Sequence, residues 1–406
     1  MSETSPHDVL IVGGGVIGLA VGWRLRQRGL SVCVLERDAA PARQTSRVAA
    51  GMIAPVSEAS PTEPALLTLG LASADMYPAF TGELESETGL SVGFRRCGSL
   101  FLARDGDEAA VLDRDLAFRE RLGRPVTRLL PSEARRLEPA LAPTLRLALD
   151  IPDDHAVDPR ALTVALTRAF TRAGGELRTA VEVAALSVSH ETVHGVRLDT
   201  GESLAAGQVV VAAGPWSGQI AGLPPTARVA LRPVKGQIVT LSDPAGPGLI
   251  DRVLRMQPGY LVPRGDGRYI LGASVEERGF DTSITAGAIF ALLSDAIELV
   301  PGAAEWRIDE LNAGIRPGTA DNLPIIGPSP VLDRLLWATG HHRHGVLLTP
   351  LTAAIVVAAI LGETPPEGAE AATPGRASVS AAAPAGGAAE AAETAAALAA
   401  GPGVEG

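Results

Sequence analysis

The chain has 406 residues, 46% of them hydrophobic and 20% charged, with a net charge of −11. This describes a globular body long enough for two domains, and the acidic balance excludes a nucleic-acid-coating role, which needs a basic face. Two cysteines, Cys33 and Cys97, exclude a disulfide scaffold or a thiolate zinc cage and fit a reducing compartment. The longest strongly apolar run, Ala353 to Leu361, falls well short of the ~20 residues that span a membrane. The N-terminus lacks a basic segment ahead of its apolar run, so no signal peptide is expected and the chain reads as cytoplasmic.

Val9 to Val12 form a short apolar run suited to a buried parallel strand. The run Gly13-Gly14-Gly15-Val16-Ile17-Gly18 follows. Leu19 to Arg28 then reads as a helix with Ile17, Val21 and Leu25 on one face and Gly29 placed to cap it. Ser31 to Leu35 is a second buried strand ending at Glu36, which completes a βαβ unit. In the loop-rich stretch that follows, Thr45-Ser46 and Ala49-Ala50-Gly51 predict the start of a helix, and another spans about 65–88. Residues 92–103 predict a strand, and 107–137 are charged and helical in character. Asp158-Pro159 precede an amphipathic helix, Ala161 to Ala173, stopped by Gly174-Gly175. Val181 to Val188 and Val209 to Ala213 predict strands, the second meeting a turn at Gly214-Pro215. From about 227 to 280 the pattern is hairpin-like. Residues 285–300 are helical, a loop-rich stretch with Gly327, Gly340 and Gly345 follows, and a final apolar helix runs from about Pro350 to Leu361. Of the 44 residues 363–406, 17 are Ala, with Gly and Pro interspersed, so disorder is expected there, with a transient helix around 387–399.

Gly13, Gly15 and Gly18 stand between a strand and a helix in the spacing of a dinucleotide fingerprint. The first allows a tight turn, the second lets the backbone approach a pyrophosphate, and the third lets the helix pack on the strand. Glu36 ends the next strand, where its carboxylate can accept from ribose hydroxyls and would repel a 2′-phosphate. This pattern barely separates FAD from NAD. The cluster His341-His342-Arg343-His344 invites a metal reading, but adjacent side chains diverge and no neighbouring carboxylate completes a facial set, so no metal is expected.

Several segments in order along the chain go further: Gly13–Gly18, Val48–Pro55, Ala212–Ser217, Pro233–Gln237, Tyr260–Arg264, Gly314–Thr319 and Thr339–Leu348. On these the chain resembles the glycine oxidase and D-amino-acid oxidase family of flavoproteins, and most closely the glycine oxidases of thiamine biosynthesis. The resemblance implies an α/β and α+β fold. A Rossmann-like domain with noncovalent FAD would comprise 1–90, 145–225 and 312–362. A substrate domain on a mainly antiparallel sheet would comprise 91–144 and 226–311. Family FAD contacts fall on Val16, Ile17, Glu36, Arg37, Thr45, Ser46, Ala50, Gly51 and Met52. Val183 would meet the adenine, and His341, His342, Arg343, His344, Gly345, Val346 and Leu347 would run beside the flavin ring.

The same resemblance places Arg316 and Tyr260 on the substrate carboxylate and Arg343 between flavin and substrate. A planar guanidinium suits a carboxylate because it offers two parallel hydrogen bonds. Val275 stands where some relatives have Met, which would widen the pocket. Arg47 and His344 also depart from the family pattern. The implied reaction is hydride transfer from Cα of a small amino acid to the flavin, with an imine product and hydrogen peroxide from dioxygen. Orientation and electrostatics would carry it, since no side-chain base stands at a matched position. The implied partners are the amino acid, dioxygen and a thiazole synthase, with homo-oligomers common among relatives and neither nucleic acid nor membrane involved. The competing readings are a sarcosine or D-amino-acid oxidase, an amino-acid dehydrogenase of the same family, and a non-catalytic flavin-binding interaction protein docking through its tail.

Overall fold

The computed structural model describes residues 7–246 and 248–376. The first strand, His7–Val12, is fully buried over its last four residues because sheet neighbours and helices cover both its faces. It pairs in parallel with Val32–Leu35 on one side and Ser203–Val211 on the other. Leu335–Thr339 and Glu176–Arg178 extend this parallel sheet, and Ile325–Pro328 closes one edge antiparallel. The carboxyl ends of the central strands thus open on a topological switch point, the place where doubly wound sheets bind ligands. The helix Val16–Gln27 leaves directly from the first strand and buries Ile17, Val21 and Leu25, with Gly29 in the left-handed region just past its end.

The second sheet is mainly antiparallel. Its order is Arg307–Gly318, Arg232–Ser242, Arg268–Gly272, Tyr260–Pro263, Val253–Arg255, Ser99–Ala103, Leu147–Ile151 and Thr127–Leu129. One neighbouring pair, Val253–Arg255 with Ser99–Ala103, is parallel. Ile289, Leu292, Ala296 and Leu299 of the helix Ala286–Leu299 cover one face. The expected pair of architectures, a Rossmann-like sheet and a mainly antiparallel one, is therefore present. Among the described residues no helix is long and apolar enough to cross a membrane.

The structure differs from the sequence expectations in five places. Of residues 92–103 only Ser99–Ala103 are strand, because Gly93 and Gly98 take left-handed backbone and Phe94 turns to pack on Tyr77 and His155. The charged stretch 107–137 is two helices, Gly106–Glu120 and Pro131–Leu137, separated by the edge strand Thr127–Leu129. The helix begun at Thr45 ends after one turn, at Val48, since Ala49 is extended and Gly51 is left-handed. The stretch expected to be loop-rich after 300 contains the twelve-residue strand Arg307–Gly318. It pairs along its whole length with Arg232–Ser242, which places residues 312–318, like Leu147–Ile151, in the second sheet and not the first.

The fifth difference lies at the tail. Residues 363–376 pack on the body: Ala369 and Ala372 join the main core, and Arg376 is hydrogen-bonded to Asp321. The helix expected around 387–399 lies outside the described residues.

Candidate active site

A cleft of about 630 Å³ opens where the two sheets meet, within the ~300–1,000 Å³ usual for ligand sites. At one end stand Gly13, Gly15, Val16 and Ile17, carried by the first strand–turn–helix, and Glu36, just past the strand Val32–Leu35. The helix begins at Gly15 with no side-chain cap and no acidic residue in its first turn, so its positive end is left for an anion. Ser46 reaches the same turn, its hydroxyl accepting from the Val16 N–H at 3.0 Å. Glu36 accepts from the Gly14 N–H at 2.8 Å and the Asp38 N–H at 2.9 Å, which fixes its carboxylate toward the cleft. Burial pushes that carboxyl above its ordinary value against the pull of those two N–H groups. The Arg37 guanidinium lies 3.8 Å from the centre of the Trp216 ring.

The middle of the cleft takes Thr45, Ala50, Gly51, Met52, Val183, His341, His342, Arg343, Gly345 and Val346 into its wall. Arg264, half-buried behind Ala50, donates to the Ala50 and Val157 carbonyls and holds that backbone in place. Burial lowers its pKa to about 10. The residues fit a flavin dinucleotide on two observations. A side chain at Gly13 would collide with the Ala212 carbonyl oxygen at 2.6 Å, so the turn presents bare backbone to the cleft. His342 Nδ1 is buried without a partner in the same wall.

At the far end, two side chains of the second sheet lie over glycines. A Cβ at Gly236 would come within 2.5 Å of the Arg316 guanidinium carbon, and one at Gly272 within 2.6 Å of the Tyr260 hydroxyl. The missing Cβ atoms make room for both side chains against the sheet. Arg316 donates to the Lys235 and Ser274 carbonyls, each at 3.2 Å, and has no carboxylate partner among the described residues. Burial raises the Tyr260 phenol pKa despite the charge of Arg316, so at neutral pH it keeps its proton as a donor.

Most residues expected at the site line this cleft, and three do not. Gly18 faces the Gly13 carbonyl, where a side chain would wedge helix from strand. Leu347 is buried in the core beneath. His344 is buried with its Nδ1 3.5 Å from Glu58. Val275 does line the cleft, but it is 71% exposed, so it shapes the mouth and does not widen an enclosed pocket. Arg47 is exposed and faces Glu310 at 3.8 Å, outside the wall.

Among the lining residues that escape the sequence reading are Glu58 and Arg255, paired at 3.0 Å. Glu58 follows the Ala-Ala-Gly-Met run in a loop, where nothing marks it off from a surface acid. Asp154 accepts from the Val56 and Ser57 N–H groups at 3.1 Å, and Arg119 donates to the Ser57 carbonyl, so two buried charges hold that loop. Burial raises the Glu58 carboxyl pKa, but Arg255, His344, Arg343 and Arg316 outweigh this and hold it below its ordinary value. Arg343 faces Glu63 at 3.5 Å and Glu58 at 3.8 Å. Glu58 is also the carboxylate that the fold, unlike the sequence, brings to the histidine cluster. The three imidazoles still go separate ways, with His341 Nε2 bonded to Thr352 Oγ1 at 2.9 Å.

Burial lowers the pKa of His341 and His342 to about 3 and that of His344 to about 4. All three are neutral in the fold at pH 7. Their pKa values are depressed relative to the unfolded ~6.5, so the unfolded chain takes up protons first and stability falls as pH drops from about 6.5 to 3. At pH 5, His341 and His344 each remove about 2 kcal/mol. Thermal melts of the apoprotein should therefore fall steeply over this window, and His344→Asn should flatten the slope by one histidine's share. An unchanged slope in that variant would mean that His344 takes up its proton in the fold as readily as in the unfolded chain.

The comparisons agree with this geometry. The family model described as FAD dependent oxidoreductase matches residues 8–359. A bifunctional protein ThiO/ThiG of Synechocystis sp. is 38% identical over 374 residues, covering 89% of this chain and 52% of that relative. The chain thus spans about half the length of that curated relative. A glycine oxidase of Geobacillus kaustophilus is 37% identical over 360 residues, covering 87% of this chain and 92% of the relative. The crystal structure of glycine oxidase from Geobacillus kaustophilus superposes with a TM-score of 0.84 at 34% identity, covering 91% of this chain and 98% of the other. The match over nearly the whole body, with the glycine turn and the cleft in place, shows that this chain belongs to the DAO family of FAD dependent oxidoreductases.

Proposed function

We propose that the protein is a glycine oxidase, acting on glycine and closely similar small amino acids. Overall, glycine and dioxygen give the imine and hydrogen peroxide. The observation that carries this reading is the charge arrangement at the far end of the cleft. Arg255 and Arg343 face Glu58 and Glu63, whereas Arg316 has carbonyl partners alone. A cation with no bonded carboxylate among the described residues, beside a phenol donor, suits one carboxylate.

FAD, when bound, supplies the two-electron acceptor for the Cα hydride. Arg316 and Tyr260 hold the substrate carboxylate and so fix where Cα sits. Glu58 stays ionised between arginines, which suits charge balance and not proton uptake from the amine. The amino acid must therefore react as its neutral amine, having lost its proton to solvent. The similarity to the ThiO/ThiG relative supports a role for the imine in thiazole assembly for thiamine, with a thiazole synthase as partner.

The test is to mix the FAD-loaded protein with glycine under anaerobic conditions and follow the visible flavin band. Bleaching is expected. A yellow protein that stays yellow with glycine but bleaches with sarcosine or D-alanine would replace glycine with a larger amine, and Val275 at the open mouth would be the residue to vary first.

A further inference from the structure

The last described residues form a hook. After the helix Thr349–Leu361 the chain turns back, and the short helix Ala369–Ala372 packs on the helix Pro64–Thr88 and the strand Ile325–Pro328. Arg376 then closes on the loop 319–324. Its guanidinium donates to both carboxylate oxygens of Asp321, at 2.7 and 3.3 Å, to the Leu323 carbonyl at 2.9 Å and to the Pro324 carbonyl at 3.0 Å. It also donates to the Ala371 and Thr373 carbonyls of the hook itself. One side chain thus ties the C-terminal segment to the backbone of a loop more than fifty residues away.

That loop lies between two arginines of the cleft. On its N-terminal side it continues the strand that carries Arg316, with Pro317, Gly318 and Thr319 between them buried. Within it, Asn322 takes the left-handed conformation and its side-chain amide donates to Glu63 Oε1 at 2.6 Å. The other oxygen of Glu63 faces Arg343 at 3.5 Å. A shift of the loop therefore moves Arg316 through the backbone and Arg343 through Asn322 and Glu63.

We propose that Arg376 is a positioning residue for the substrate end of the cleft, holding loop 319–324 so that Arg316 and Arg343 keep their places. The pinning of the loop stands on the contacts alone. Its consequence for substrate rests on the amino-acid oxidase reading above. A displaced guanidinium clamp weakens its hold on the carboxylate and, because the clamp also fixes where Cα sits, slows the bound complex as well. The segment is thus part of the enzyme's working structure and not a dispensable tail.

The experiment uses the full chain loaded with FAD. Arg376→Ala should raise KM for glycine about tenfold and lower kcat several-fold, with FAD retained. Hydrogen exchange of the amides in 319–324 should quicken. Asn322→Ala should raise KM in the same direction while leaving exchange in 369–376 unchanged, since it cuts the link to Glu63 and not the hook. If Arg376→Ala does not fold, Arg376→Lys, which keeps the charge and loses the fork, takes its place. An unchanged KM in a folded, FAD-loaded variant overturns the proposal, as does unaltered exchange in 319–324. A full chain that oxidises no glycine fails the function reading separately. The hook is then read from loop exchange and from acetate binding, followed by perturbation of the flavin band, and Arg376→Ala must change both for the proposal to stand.

Discussion

Arg316→Ala should raise KM for glycine about thirtyfold or more while the protein stays yellow. The reasoning starts from what Arg316 touches. Its donors reach two backbone carbonyls, and among the described residues no carboxylate is bonded to it. Tyr260 and the sheet would cover the carboxylate it holds on one side, and truncating one partner of a desolvated charge pair costs about 2–5 kcal/mol. At ~1.4 kcal/mol per factor of ten, that is a loss of roughly 30- to several-thousand-fold. FAD binding should survive, because the dinucleotide turn lies at the other end of the cleft. Arg316→Lys should recover only part, since an ammonium keeps the charge but not the planar pair of donors. Gly236→Ala offers a subtler version, as its Cβ would stand within 2.5 Å of the guanidinium carbon and push the clamp off the sheet. Steady-state kinetics on the three variants, with the flavin band as a check of loading, decides the matter. Wild-type KM in Arg316→Ala would remove Arg316 from the substrate and leave Arg343 as the next candidate.

The parts of this fold that announce themselves in sequence are those where one residue type has few alternatives. The Gly13 turn, the apolar strands around it and the Asp158-capped helix Pro159–Arg172 each rest on local chemistry, so local patterns find them. The strand Arg307–Gly318 does not, because it sits at the edge of its sheet. Its first seven residues are exposed or half-buried, so no apolar alternation appears, and its conformation is set by the long ladder to Arg232–Ser242. Glu58 and Arg255 escape for a different reason. They meet across 197 residues, and neither carries a local mark. The hook was hidden by composition: Ala369 and Ala372 are buried within an Ala-, Gly- and Pro-rich stretch that reads as disordered, and Arg376 acts through a partner 55 residues earlier.

Gly13→Ala should yield a colourless protein that added FAD does not restore. Gly13 has φ of +109°, a region that costs an alanine about 1–3 kcal/mol. The new methyl would also lie 2.6 Å from the Ala212 carbonyl oxygen and 2.9 Å from its carbon. Both atoms belong to backbone running on from the central strand Ser203–Val211, so the turn itself must give way. The N–H groups at the start of the helix Val16–Gln27 would then leave the position from which they face the cleft. Gly15→Ala separates the two effects. Gly15 has φ of −75°, which any residue adopts, and its added methyl would meet only the Ser46 hydroxyl at 3.3 Å. That apoprotein should melt within about a degree or two of the parent, as tolerated substitutions do. Its methyl would nonetheless stand in the wall of the cleft, where the parent offers bare backbone to a pyrophosphate. FAD affinity should therefore fall at least about tenfold in Gly15→Ala with stability intact, and be lost in Gly13→Ala together with several degrees of melting temperature. Titration of each apoprotein with FAD, beside its melting curve, gives both numbers. Parental FAD affinity in Gly15→Ala would mean that the phosphates bind elsewhere along the cleft and that this glycine serves only the turn.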